Sequence, residues 1–266
     1  MNALAERGVS VVIITKNERR NLPQCLQSVR FADEVMVVDD FSSDGTPEVA
    51  RAAGALVIAR AWEGYAAQRQ HGITAATREW ILWLDADERV TPALRDEIEA
   101  VLRGDGHGRD AYLVPRRHVF LGEWLRHGGE YPALQLRLVR RNKAILRQVL
   151  VHESIDDAGL DVGRLENPID HLSSPSLRTR ITKARRYARL AAAEVARSGQ
   201  ISEPSLTRLL LNPFRRLAYV YLKAGGYRDG WRGLAWAVMC GFEQGLFAVH
   251  MVRIRATRGH RRAPAE

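Results

Sequence analysis

An α/β fold, Rossmann-like, with a mostly parallel sheet flanked by helices and a helical, basic C-terminal appendage, is what the sequence predicts. Three observations predict it. Apolar runs rich in β-branched residues recur along the first part of the chain, as strands buried on both faces of a parallel sheet do. Helical stretches with clear start and stop signals lie between them, a strand–helix alternation at about 25 residues per unit. Charge is divided along the chain, net −5 over residues 1–100, +1 over 101–170 and +13 over 171–266, within a total of +9.

The first strand is Val9–Ile14, and Pro23 marks the early part of the helix after it. A second strand, Glu34–Val38, precedes a helix opened by Thr46-Pro47 and closed before Gly54. Strand Ala55–Ile58, helix Tyr65–Ala76 and strand Trp80–Leu84 follow. Thr91 as N-cap and Pro92 at the first helical position start a helix that runs to about Leu102 and stops before Gly104. The Gly- and charge-rich segment 103–110 reads as a loop. Ala111–Pro115 and Gln135–Val139 alternate as strands, and the aromatic, Gly-rich stretch between them reads as a loop able to cover a substrate. Ser173–Gln200 reads as a linker and a basic helix, and Ser205–Ile254 as apolar helix interleaved with arginines.

The chain has 266 residues, 46% hydrophobic and 27% charged, enough to bury a core and outside the disordered range. Two cysteines, Cys25 and Cys240, make no disulfide framework and suit a reducing compartment. Glu6 and Arg7 interrupt any apolar leader, so no signal peptide is expected. The acidic first hundred residues argue against nucleic acid as a partner, despite the basic total.

Ligands of open α/β sheets collect at the carboxyl ends of the strands. Three of these ends are polar here. The first is Thr15-Lys16-Asn17-Glu18, the second carries Asp39 and Asp40 in VVDDFSSDGT, and the fourth carries Asp85, Asp87 and Glu88 in WLDADE. In an extended segment Asp85 and Asp87 project to one side, and a divalent cation, Mg²⁺ or Mn²⁺, relieves their repulsion while keeping positions open for diphosphate oxygens. Asp39 and Asp40 suit a nucleoside, because a carboxylate accepts two hydrogen bonds at once. Asp44 is expected to cap the helix that begins at Pro47. Arg69 is placed to clamp a diphosphate, and Arg137 to meet an anionic acceptor.

VVIITKNE, VVDDFSSDGT and WILWLDADE, in this order, resemble the nucleotide-binding half of the family 2 inverting glycosyltransferases with the GT-A fold. RHGGEYPALQLRLVRR and VHESID extend the resemblance to the subgroup of lipopolysaccharide inner-core β-glucosyltransferases. Ala133 after Tyr-Pro, Glu130 in an aromatic's place and Gln70 in place of an Asn depart from that subgroup's pattern and bear on the acceptor. The resemblance implies a catalytic domain over 1–172, with a nucleotide-sugar half (1–100) and an acceptor half (101–172), followed by a helical, basic, membrane-associating region (173–266). It implies a UDP-sugar donor, with UDP-glucose the first expectation, and a divalent metal. Thr15, Asn17, Glu18, Asp39, Asp40, Arg69 and Asp85 would bind the donor; Asp85, Asp87 and His171 the metal. Glu153 would be the base and His152 its neighbour in catalysis, with Glu130 as the other candidate base and Arg137 on the acceptor side.

Between Arg232 and Arg253 only Glu243 is charged. Gly233, Gly241, Gly245 and that glutamate argue against a membrane span and for helices lying in the interface. The expected setting is the cytoplasmic face of a bacterial plasma membrane, with a lipid-anchored saccharide as acceptor. Transfer to polyprenyl phosphate is the neighbouring alternative. A sugar nucleotidyltransferase is a further one, disfavoured because VVIITKNE has no glycine for a triphosphate loop.

Overall fold

The computed structural model describes residues 6–105, 108–145, 159–174, 177–198 and 205–260. The chain divides into two units, Met1–Arg117 with Pro132–His171, and His118–Tyr131 with Leu172–Glu266.

The first unit is built on a twisted mixed sheet. Its strands are β1 (Glu6–Thr15), β2 (Glu34–Asp39), β3 (Leu56–Ala59), β4 (Arg78–Asp85), β5 (Glu88–Val90), β6 (Ala111–Phe120), β8 (Ala133–Arg140), β9 (Val162–Arg164) and β10 (Ile169–Ser174), and the last residues of β6 and β10 pass into the second unit. The order is β3-β2-β1-β4-β8-β6-β10-β5, with β9 beside β6. β3, β2, β1 and β4 are parallel, as the strand–helix alternation predicts, and from β8 onward the pairing is largely antiparallel. Helices α1 (Leu22–Ser28), α2 (Thr46–Ala52) and α3 (Tyr65–Ala75) connect the parallel strands, and α4 (Pro92–Ala100) follows β5 and leads to β6.

β1 explains the unbroken apolar run in the sequence. Val11 and Ile13 enter one core with Leu22, Val37, Leu82 and Leu94; Val12 enters the other with Met36, Ile73 and Ile81. A strand with a core on each face has no polar side to display. α3 lies so close that a Cβ on Gly72 would come within 2.5 Å of Val12 Cγ1, which is why a glycine stands in mid-helix. β3 departs from the expected buried run. Among the described residues it is an edge strand, paired with β2, and its Leu56 is exposed. Thr91 caps α4 by accepting from the Leu94 N–H at 3.3 Å. The helix then continues through a wider turn from Val101 and is broken at Gly104, whose φ of 97° is not helical, so it stops before that glycine as the sequence predicts.

In the second unit, Leu121 and Gly122 turn the chain with φ 50° and 81°. Two successive positive φ values are those of a tight hairpin turn, and β7 (Glu123–Trp124) pairs back onto the end of β6. The stretch read as a loop therefore begins with a hairpin. Helices α5 (Leu177–Ser198), α6 (Leu206–Ala218) and α7 (Gly230–His260) complete this unit. Its cores are Phe120, Leu125, Val220, Trp236 and Met239 in one cluster, and Ala192, Leu209, Ala248 and Met251 in another.

Candidate active site

Parallel pairing in register sets Thr15 opposite Asp39 and Ile14 opposite Asp85, so the three polar strand ends predicted from the sequence lie side by side. Asp39 is buried. Its carboxylate accepts from Thr15 Oγ1 at 2.8 Å, Ser42 Oγ at 2.6 Å and the Ser42 N–H at 2.7 Å, and so shapes the turn after β2. Asn17 at φ 57° gives its N–H to Ser42 Oγ and accepts from the Ser43 N–H, and the Glu18 N–H reaches Thr46 Oγ1. Glu18 also accepts from Asn21 Nδ2 at 2.7 Å. Thr15, Asn17 and Glu18 are thus the struts that join the β1 and β2 loops. Asp44 accepts from the Thr46 N–H at 3.0 Å, while the cap position of α2 expected for it is taken by Gly45 at φ 89°. Asp40 stands further out, 3.3 Å from Lys16 Nζ, and accepts from the Trp62 N–H at 3.1 Å.

Between these loops sits Phe41, 62% exposed and at φ 46°. A bulky residue in the left-handed region is an outlier that the surroundings must hold in place. Lys16 Nζ contributes by donating to the carbonyls of Asp40 and Phe41. Nothing in the sequence singled out Phe41, because a backbone angle leaves no mark in residue type. The edge-to-face pair Trp62–Tyr65 adds aromatic surface beside Asp40.

At the end of β4 the chain does not continue extended. β4 stops at Asp85, Ala86 and Asp87 form a turn, and β5 begins at Glu88. The extended geometry expected for Asp85 and Asp87 therefore does not hold. Arg89 pins the turn by donating to the carbonyls of Ala86, Glu88 and Asn21. Asp85 accepts from Arg69 Nη2 at 2.5 Å, with Arg137 Nη2 at 3.6 Å. Burial alone would raise the Asp85 carboxyl, but the charges of Arg69, Arg137 and His171 outweigh it and hold the group far below the usual carboxylate range. Glu88, fully buried, accepts from Arg137 at 2.5 Å and faces Arg116 at 3.7 Å. Burial, and secondarily the charge of Asp85, raises its carboxyl, against the pull of Arg137. Asp87 lies 3.6 Å from His171 Nε2, brought there because β10 pairs antiparallel with β5, His171 opposite Glu88.

The structure thus gathers Arg69, Asp85, Asp87, Arg137 and His171, which the sequence could only name separately. Glu88 and Arg116 join them; the first was noticed as part of the acidic cluster, the second was not. Arg137, named for the acceptor side, stands at the carboxylates of Asp85 and Glu88 after β4. Glu130, in the other unit, accepts from Trp236 Nε1 at 3.1 Å. His152 and Glu153 lie outside the described residues.

Among the described residues no three or more His, Cys, Asp or Glu side chains form a ready metal cage. Asp87 and His171 nonetheless offer an oxygen and a nitrogen 3.6 Å apart, close to the spacing of neighbouring ligands on one cation. Asp85 is engaged by arginine, which supplies the relief of charge that the sequence reading assigned to the metal. This donor set fits a cation completed by substrate phosphates, the usual arrangement for Mg²⁺ and related ions at phosphate sites.

A family model described as glycosyl transferase family 2 matches residues 10–159. An uncharacterized glycosyltransferase of Rickettsia conorii is 29% identical over 215 residues, 75% of this chain and 74% of that protein. The lipopolysaccharide core biosynthesis glycosyltransferase LpsC of Rhizobium meliloti is 28% identical over 232 residues, 85% and 84% of the two chains. Among solved structures, the mannosyltransferase PcManGT of Pyrobaculum calidifontis, in complex with GDP-Man and Mn²⁺, superposes with a TM-score of 0.54 at 18% identity, over 94% of this chain and 90% of that one. At that identity the shared property is the GT-A fold.

Proposed function

The chain belongs to glycosyl transferase family 2, and from that premise we propose an inverting, metal-dependent transfer of a hexose, glucose first, from a UDP-sugar to a lipid-anchored saccharide of the lipopolysaccharide core type. The observation that carries the proposal is the convergence of Arg69 and Arg137 on Asp85, beside the Asp87–His171 pair, at the carboxyl ends of parallel strands. Asp85 and Glu88 hold Arg69 and Arg137 in place, and the forked guanidinium groups have further N–H donors of the kind that bind diphosphate oxygens well. The nucleoside falls to the β1 and β2 ends, with Asp40 and the face of Phe41 outermost and Asp39, Thr15, Asn17 and Glu18 holding their loops.

A divalent cation, Mg²⁺ or Mn²⁺, held by Asp87 and His171 with Asp85 beside them, would supply Lewis-acid stabilisation to the departing diphosphate. Arg69 and Arg137 meet the same negative charge without any cation and orient the diphosphate. The acceptor oxygen attacks the anomeric carbon as the bond to the diphosphate oxygen breaks, and its proton passes to a carboxylate. Glu153, with His152 next to it, takes that role by resemblance, and Glu130 is the other candidate. Residues 1–100 form the donor half and 101–172 the acceptor half of the catalytic domain in this reading, and 173–266 keeps the enzyme on the cytoplasmic face of the membrane where the acceptor is anchored. The likeness to LpsC supports the acceptor class.

The test is a thermal-shift titration with UDP-glucose, other nucleotide sugars and GDP-mannose, with and without Mn²⁺. UDP-glucose with Mn²⁺ should raise the melting temperature most, and chelator should remove the effect. Equal shifts in chelator would contradict the metal, and a preference for GDP-mannose would contradict the donor.

A further inference from the structure

Within the C-terminal unit, α6 and α7 carry apolar side chains that the fold leaves uncovered. On α7, Trp231, Leu234, Val238, Phe242, Val249 and Val252 are all exposed. Their spacings of three, four and seven place them along one side of the helix, a face about 30 Å long. The other side is core, with Trp236, Met239, Cys240 and Met251 buried. On α6, Leu206, Leu210 and Phe214 recur every fourth residue, and Leu210 and Phe214 are 68% and 72% exposed. An amphipathic helix of a soluble domain turns its apolar stripe inward. Here α6 buries Leu209 but turns the stripe of Leu206, Leu210 and Phe214 outward. α6 crosses α7 at Gly241 and Gly245, where a Cβ on residue 241 would stand 2.9 Å from the Pro213 carbonyl oxygen. Those two glycines border the stripe on α7, so the stripes of the two helices adjoin.

The charges around this surface are predominantly positive, with the exposed Glu123 3.9 Å from Arg232 as a carboxylate among them. Residues 205–260 hold nine Lys+Arg and two carboxylates. Both carboxylates are engaged, Asp229 with His127 at 3.0 Å and Glu243 with Arg180 at 2.7 Å. Arg208, Arg215, Lys223, Arg228 and Arg253 are exposed. A second copy of the chain would set this cationic rim against its own like, and a nucleic acid would meet an uncharged aliphatic face. An anionic bilayer meets both parts of the surface with what each requires.

We propose that the outward side of α6 and α7 inserts in the plane of an anionic bilayer, stripes at the acyl boundary and arginines among the headgroups, with α7 lying along the membrane and not across it. The stretch Gly226–Thr257 is long and apolar enough to span. Spanning would expose to lipid the side of α7 that forms the core of this unit, and would carry the Glu243–Arg180 pair to mid-bilayer. The proposal rests on the reading of a membrane-anchored acceptor and specifies which surface meets the lipid and how.

The test sediments the full-length protein with vesicles of phosphatidylcholine and phosphatidylglycerol, and with vesicles of phosphatidylcholine alone. Binding is expected to the anionic vesicles, with release by alkaline carbonate and a blue shift in Trp231 emission that Trp231→Phe removes. The Phe214→Asp/Val238→Asp variant should partition about tenfold or more weakly, while its melting temperature stays that of the wild type because both side chains are exposed. Arg215→Glu/Lys223→Glu should lose the preference for anionic lipid. Absence of binding, or equal binding by the Asp variant, would overturn the proposal, and resistance to carbonate would overturn the in-plane arrangement. A dimer that the Asp variant disrupts, without vesicle binding, would assign the surface to a second copy. The UDP-glucose thermal shift is read separately, so vesicle binding without it would retire the donor reading and leave this one standing.

Discussion

At the residue scale, Arg137 and Glu88 show how a site is paid for within the fold. Their contact is buried on both sides, and removing one partner leaves an uncompensated charge in a low-dielectric setting. Arg137→Ala is expected to cost about 3–5 kcal/mol, measured by urea denaturation, while Glu88→Gln, which keeps an acceptor, costs less. Phe41 predicts the opposite balance. Phe41→Gly relieves a left-handed φ and should leave the melting temperature unchanged or higher, while weakening nucleotide binding by calorimetry. A variant that binds as well as the wild type would limit Phe41 to a structural oddity of the turn. Asp39, Asp85 and Asp87 were legible in the sequence because acidic residues at the ends of apolar strands are poor for stability. Phe41 was not, since its strain is a property of the backbone and its residue type is unremarkable after a strand.

At the scale of elements, the parallel strands and their helices were legible because alternation, Pro at helix starts and Gly beyond helix ends are local physics. Thr91-Pro92 is the clearest example, with the cap formed as its residues imply. β5, β9 and β10 were not legible. They are short, and each exists because a partner strand is already in place to pair with it. Helix crossings were equally hidden. Gly241 reads as a weak point of its helix, yet it marks a close approach to the Pro213 carbonyl, and Gly72, which the sequence did not single out, marks one to Val12. Gly72→Ala should therefore destabilise by about 1–3 kcal/mol from overpacking, seen as a lower denaturation midpoint with unchanged slope. An unchanged midpoint would mean that the sheet can shift to admit the methyl group.

For the whole molecule, the two cysteines give a measure of how completely the cores exclude water. Burial pushes the Cys25 thiol far up and the Cys240 thiol to about 11, and both side chains are enclosed. Neither should react with a thiol reagent near neutral pH, at about pH 8 or below, until the chain unfolds. Rapid labelling of Cys25 in the folded enzyme would show that the core between α1 and β4 opens. The same whole-molecule view accounts for the charge division: the negative part carries the strand-end carboxylates, and the positive part carries the exposed arginines around α6 and α7.

The sequence by itself determined the strand–helix order, the polar strand ends and the basic apolar tail, because each is written in the spacing of neighbouring residues. Only the tertiary structure decided that α3, β8 and β10 bring Arg69, Arg137 and His171 to the carboxylates after β4, and that α6 and α7 turn apolar stripes outward. The physical reason is that strand partnership and the choice of which helix face is covered depend on what packs from far along the chain, and local patterning carries no record of it.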